Sequence, residues 1–294
     1  MSLRFDLQSH STHSDGALAA SEVVERAAAA GVQLLALTDH DTVSGVSEAR
    51  AAGKRCGVRV VPAVEISALD DRPAGACELH ILGYAIDHTD PRLTERLAAF
   101  LADREQRTQR MAAALRALGL ELDEREIAAR RAAGRPIGRP HLATAVLTAP
   151  ANASRLKGEQ IDDIGSLIEA YLVEGRPAFR LREIPTVAEA VQAIHDAGGL
   201  AVWAHPFWDI SDPSEVLASI DRFRSALQLD GVEAFYVTHT REQTVLLAER
   251  CAALGLLSTG SADFHGPESR LFSRFLAFET YGLQPNLGPL ASTS

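Results

Sequence analysis

The sequence predicts an α/β fold built on parallel strands and interrupted by a helical insertion. Short apolar runs alternate with helical stretches near both ends of the chain, while the stretch between them reads as helix. Histidines and carboxylates keep falling where the short apolar runs stop. Alternating strand and helix patterns build βαβ units, and parallel strands carry chemistry at their C-terminal ends, in barrels and open sheets alike. A chain of 294 residues is long enough to bury one large core and carry an insertion.

Each element has a local reason. Arg4-Phe5-Asp6-Leu7 is the first strand candidate, followed by a helix over Glu22 to Ala30 that Ser21 caps and Gly31 ends. Leu34 to Leu37 is a second apolar run, and the helix after it spans Val46 to Cys56 and stops at Gly57. Val58 to Val64 and Glu78 to Leu82 complete a β-α-β-α-β-β opening. From Pro91 to Arg182 the sequence turns rich in Ala, Leu and Arg. Alternation returns at Thr186 with a helix to Ala197 that Gly198-Gly199 terminates, then strand candidates at Leu200 to Ala204, Gly231 to Tyr236 and Leu256 to Gly260. The expected organisation is an α/β body of residues 1–90 and 183–280, a helical cap at 91–182, and a loose tail at 281–294 bearing Pro285, Gly288 and Pro289.

Composition narrows the function. An apolar share of 46% with 23% charged residues is ordinary for a soluble globular protein. A net charge of −10 argues against tight binding to long nucleic acid, although a small anionic substrate remains compatible. Cys56, Cys77 and Cys251 make no CxxC pair, so a reducing cytoplasm is expected. No run is long enough to span a membrane, and Asp6 and Gln8 near the N-terminus do not suit a signal peptide.

The candidate chemistry lies in His10, Asp15, His40, Glu65, His80, His205, Asp263 and His265, which sit at or beside strand ends. Divalent metals take neutral imidazole and ionised carboxylate, and a mixed set suits Zn, Mn or Fe better than Ca or Mg. Loops from parallel strands can bring such ligands to one rim, where this number of them makes a multinuclear metal site. Asp263 and His265 are separated by one residue and would face the same way in an extended segment. His13, His88 and His195 read as ordinary structural histidines, His195 because it falls mid-helix. No GxSxG elbow, GxxxxGK[ST] loop or GxGxxG turn is present.

These same segments resemble a known family. Asp6-Leu7-Gln8-Ser9-His10-Ser11-Thr12 with Ser14-Asp15-Gly16 is similar to the first motif of the polymerase and histidinol phosphatase (PHP) family. Thr38-Asp39-His40-Asp41, Val64-Glu65, Ala204-His205-Pro206 and Ser261-Ala262-Asp263-Phe264-His265 resemble its later motifs, in the family's order. The stand-alone bacterial phosphoesterases of that family, acting on nucleoside 3′,5′-bisphosphates and short RNA 5′ ends, are the nearest in appearance. The resemblance implies a distorted (β/α)7 barrel with two or three divalent metals. It would assign His10, Glu65 and Asp263 to one metal, Glu65, His80 and His205 to a second, and Asp15, His40 and His265 to a third. One position departs: the first motif's usual His-x-His reads Gln8-Ser9-His10 here, and an amide oxygen is a weaker ligand than imidazole for Zn or Mn.

Anion-binding candidates lie elsewhere. Arg125, Arg130, Arg131, Arg135 and Arg139 form a locally basic run, of which Arg125 and Arg130 read as a solvated helix face. In Gly138-Arg139-Pro140-His141 the proline stiffens a loop before a new helix, and the resemblance marks Arg139 and His141 as a phosphate clamp. His239, after the run ending in Thr238, is a candidate phosphate contact or acid, and Asp39 a second candidate acid. The expected activity is hydrolysis of small phosphorylated nucleotides by a water activated between metals, with Glu65 bridging them. A histidinol-phosphate-type small-molecule phosphatase, or a nucleotide-binding protein silenced at Gln8, are the alternatives.

Overall fold

The computed structural model describes residues 3–72, 75–132, 137–180 and 185–292. In chain order the first unit begins with β1 (Phe5–Asp6), α1 (Ala20–Ala29), β2 (Leu34–Leu37), α2 (Val46–Cys56), β3 (Arg59–Arg72) and β4 (Gly75–Tyr84). The chain then forms helices α3 (Pro91–Ala117), α4 (Glu124–Ala132), α5 (Arg139–Thr148), α6 (Ala153–Gly158) and α7 (Ile164–Leu167). It ends with α8 (Val187–Asp196), β5 (Leu200–Trp203), α9 (Pro206–Asp209), α10 (Pro213–Leu227), β6 (Gly231–Tyr236), α11 (Arg241–Leu254) and β7 (Leu257–Ser261). Compact units are formed by Met1–Ala98 with Pro185–Ser294, and by Ala99–Ile184.

The seven strands pair in sequence order, β1 through β7. The Leu7 N–H donates to the Gly260 carbonyl at 3.1 Å, and Ser9 bridges Phe264 in parallel, so the sheet curls into a nearly closed barrel. Period-two alternation explains its two cores. Leu34 and Ala36 of β2 face the barrel interior with Leu7, Leu82 and Tyr84. Leu35 and Leu37 face outward and pack with Val23, Val24 and Ala49 of α1 and α2.

All neighbouring strands are parallel except β4, which runs against both β3 and β5. That inversion distorts the (β/α)7 plan. It also lengthens β3, expected to end at Glu65 but paired with β4 out to Arg72. A second local expectation fails at α1. Ser21 does not cap it: the N-cap is Ala19, whose N–H donates to Glu22 Oε2 at 2.9 Å. Ser21 instead donates through its N–H and hydroxyl to Glu48 of α2, at 2.9 and 2.6 Å. Thr186 does cap α8, in a reciprocal pair with Glu189.

As far as Ser292 the expected loose tail is ordered against the barrel instead. Leu287 and Leu290 are buried in the interior core beside the strand starts. Asn286 exchanges hydrogen bonds with the Ser258 hydroxyl and backbone, and the Arg59 guanidinium donates to the Leu290 and Ser292 carbonyls. Proline, glycine and serine conceal this because the anchoring leucines are sparse and their partners lie far away in sequence.

The unit Ala99–Ile184 is helical, with its own core of Met111, Leu115, Ile127, Leu142, Val146 and Leu172. Among the described residues no helix is long and apolar enough to cross a membrane.

Candidate metal centre

The loop after β1 is held by hydroxyls. Asp39, buried at the end of β2's extension, accepts from the Ser11 N–H (2.7 Å), the Ser11 hydroxyl (2.7 Å) and the Ser14 hydroxyl (2.6 Å). Both its oxygens are therefore engaged, and its task is to shape the loop that presents His10 and Asp15. Gly16 is needed at the same turn, because a Cβ there would lie 2.2 Å from the His10 carbonyl oxygen.

Glu65 is the centre of the arrangement. Its Oε1 lies 2.7 Å from His80 Nδ1 and 3.4 Å from His205 Nε2, which are 3.4 Å from each other. Its Oε2 lies 3.0 Å from His10 Nε2, which is also 3.1 Å from Asp263 Oδ1. A looser group forms where Asp15 approaches His40 Nε2 and His265 Nε2, each at 3.6 Å. His10 Nδ1 is also 3.6 Å from Asp15 and His40 Nδ1 3.8 Å from Glu65 Oε2, so the compatible sets His10, Asp15, His40, His265 and His40, Glu65, His80 border the pair of His10 with Asp263. The antiparallel β4 makes the His80 contact possible: His80 pairs with Ser67, two residues from Glu65 on the same strand face.

These residues fit divalent cations. Ligand atoms held about 2.1 Å from a common ion in tetrahedral or octahedral geometry lie about 3.0–3.4 Å apart. His10 Nε2 and Asp263 Oδ1 are buried and close, yet neither has a hydrogen-bond partner. Orphaned buried donors and acceptors are costly unless something else satisfies them. Backbone strain gathers here too: Asp41, His205 and Asp263 all take positive φ, at 55°, 29° and 52°. The segment around Asp263 is therefore turned rather than extended, and Asp263 and His265 reach the cluster by that turn.

The charges are mutually dependent. Burial opposes ionisation of Glu65, but the imidazoles of His40, His80, His10 and His205 around it hold it well below the usual carboxylate range. Burial pulls the His10 imidazole down, and the nearby Asp263 and Glu65 carboxylates outweigh that, raising it well above its ordinary value. A cation bound there would take the place of the proton on His10, since only neutral imidazole ligates.

Several supporting residues escaped sequence reasoning. Tyr236 donates its hydroxyl to Asp263 Oδ2 at 2.8 Å. Glu233, fully buried in β6, accepts from the His205 N–H at 3.0 Å and the Ser261 hydroxyl at 2.6 Å, and burial pushes it up to about 8. Asp6 accepts from the Ala262 and Leu276 N–H groups, and burial pushes it up to about 7. The signal for the two carboxylates was present, since each interrupts an apolar run that forms a strand. Such partners orient the groups that face a metal. His265 Nδ1 lies 2.7 Å from the Asp263 carbonyl, which directs its Nε2 toward Asp15.

Gln8 is fully buried within the cluster, its Nε2 donating to Glu65 Oε2 at 2.9 Å. His13 joins no ligand group, His88 pairs with Ser47, and His195 bonds Asp230 at 2.8 Å. His239 is buried with Nδ1 against the Ala234 carbonyl and Nε2 unpartnered. Burial lowers it to about 4, so it is neutral near pH 7, an acceptor and a poor proton donor. Arg139 opens α5, and His141 Nδ1 accepts from the Gly138 N–H at 3.0 Å, closing the helix start. Arg125 forks onto Asp123, Arg131 is exposed on α4, and Arg135 lies outside the described residues.

The PHP domain model matches residues 6–123. The chain is 32% identical to a 5′-3′ exoribonuclease from Haemophilus influenzae, over 91% of this chain and 92% of that one. It is 33% identical to a 3′,5′-nucleoside bisphosphate phosphatase from Chromobacterium violaceum, over 89% and 87%. A solved structure from Bifidobacterium adolescentis, described as a metal-dependent phosphoesterase, superimposes with a TM-score of 0.75 at 26% identity, covering 92% of this chain and 91% of that one. Barrel, rim ligands and relatives agree: the chain belongs to the PHP family of metal-dependent phosphoesterases.

Proposed function

We propose that this enzyme removes phosphate from small phosphorylated nucleotides, the 3′-phosphate of a nucleoside 3′,5′-bisphosphate in the first instance. The observation that carries the reading is Glu65, whose Oε1 faces His80 and His205 while its Oε2 faces His10, itself beside Asp263. His10 and Asp263 would hold one divalent ion with Glu65, His80 and His205 a second, and Asp15, His40 and His265 a third. Bound there, Mn, Zn or Fe supplies Lewis acidity and makes water a nucleophile at neutral pH.

The chain's own groups do the rest. Glu65 keeps both donor sets at one spacing, Tyr236 fixes the Asp263 carboxylate, and Glu233 anchors the His205 backbone. The resemblance would give Arg139 and His141 a phosphate-binding role, and if they hold it Arg139→Ala should raise KM more than it lowers kcat. Trimming of short RNA is the second reading, favoured by the relative named as an exoribonuclease.

The test is inorganic phosphate release from adenosine 3′,5′-bisphosphate with Mn²⁺, beside the Asp263→Ala variant. Release by the wild type alone, with AMP as product, supports the reading. Liberation of nucleoside monophosphates from short RNA, with no inorganic phosphate from the bisphosphate, transfers it to the second.

A further inference from the structure

Trp208 is 52% exposed, whereas the chain's other tryptophan, Trp203, is fully buried. The Trp208 N–H donates to the His205 carbonyl at 2.8 Å, so the indole rides on the turn that presents a cluster imidazole. Two rings brace it: Phe272, with centroids 5.8 Å apart at 60°, and Tyr236, at 6.5 Å and 78°. Both lead inward. Phe272 lies 5.3 Å from the His265 ring, while Tyr236 lies 5.2 Å from the His205 ring and hydrogen-bonds Asp263. Among the described residues no aromatic ring lies parallel to the indole. Its neighbours therefore fix its position without stacking on it.

A single exposed aromatic is ordinary on a solvated surface, but this one is braced by two rings that themselves contact imidazoles of the cluster. We propose that Trp208 is a nucleobase platform: a planar base stacks on the indole while the phosphate of the same molecule lies at the Glu65-centred cluster. Two successive ring contacts, of 5.8 Å and 5.3 Å between centroids, link the indole to the His265 imidazole. Every base offers a π face, so stacking selects for the presence of a base without choosing among bases. Adenine and uracil derivatives are both accepted, and sugar phosphates lacking a base are disfavoured. This rests on the nucleotide-phosphatase reading above.

The decisive quantity is a ratio. In Trp208→Ala, kcat/KM for adenosine 3′,5′-bisphosphate divided by kcat/KM for ribose 5-phosphate should fall about tenfold or more. Trp208→Tyr, which keeps an aromatic face, should restore most of it. A general loss of folding lowers both terms and leaves the ratio alone. Binding is read separately with Zn²⁺ present: AMP should quench the tryptophan fluorescence of the wild type, ribose 5-phosphate should not, and Trp208→Ala should show no AMP response. Equal quenching by AMP and ribose 5-phosphate, or an unchanged ratio in Trp208→Ala, overturns the platform. Quenching by AMP without phosphate release from any nucleotide upholds the platform while rejecting the proposed reaction.

Discussion

Where the parallel strands of the barrel finish, buried nitrogen and oxygen atoms crowd together and some lack hydrogen-bond partners; where the same strands begin, leucines fill the interior and the C-terminal segment closes over them. One end carries the cluster residues His205 and Asp263 at positive φ and shifted ionisation, the other carries apolar packing tied by bonds of Asn286 and Arg59 to Ser258 and to the tail carbonyls. The difference teaches that a single β-barrel can separate its stability from its chemistry. Strain and unpaired polar atoms are tolerated on the rim because burial elsewhere offsets them.

That separation is breakable by experiment. The largest effect is expected at the rim: Asp263→Ala or His40→Ala should abolish turnover and lower bound metal while far-UV circular dichroism stays as in the wild type. Unaltered turnover in either variant would sink the ligand assignment. At the other end, Leu290→Ala removes a buried side chain and should cost about 2–4 kcal/mol in urea unfolding, with bound metal per chain unchanged. Metal loss there would mean the two ends are coupled. A subtler change sharpens the rim itself. Imidazole is a better Zn ligand than an amide, so Gln8→His should retain more Zn per chain after dialysis than the wild type. Equal retention would show that Gln8 already serves the ion adequately or that no ion sits beside it.

Much of this site could be read from residues in order, because strand ends are marked locally. An apolar run that stops at a histidine or a carboxylate announces its own C-terminal end, and His10, His40, His205 and Asp263 all follow that rule. What was hidden depends on partners distant in sequence. Glu233 and Asp6 look like polar interruptions of strands until the fold brings Ser261 and Ala262 beside them. Asp39 looks like another rim acid until Ser11 and Ser14 occupy it. The direction of β4 also escaped, since antiparallel and parallel strands share the same apolar pattern. Leu287 and Leu290 were masked by the prolines and glycines around them.

The smallest effect is expected at a pair that imitates the rim chemically. His195 Nε2 lies 2.8 Å from Asp230 Oδ2, as close as any imidazole–carboxylate contact in the cluster except that of His80 with Glu65. Both side chains are, however, about 30% exposed, and Asp230 Oδ2 also accepts from the Ala201 N–H at 2.8 Å. Water and the backbone can satisfy Asp230 when the imidazole is removed, so no buried charge is stranded. His195→Ala should therefore cost less than about 1 kcal/mol in stability and leave kcat and bound metal as in the wild type. Urea unfolding and phosphate release read both quantities on one preparation. A loss approaching that of Asp263→Ala would mean that proximity of histidine and carboxylate, and not burial with unmet valence, is what marks function in this barrel.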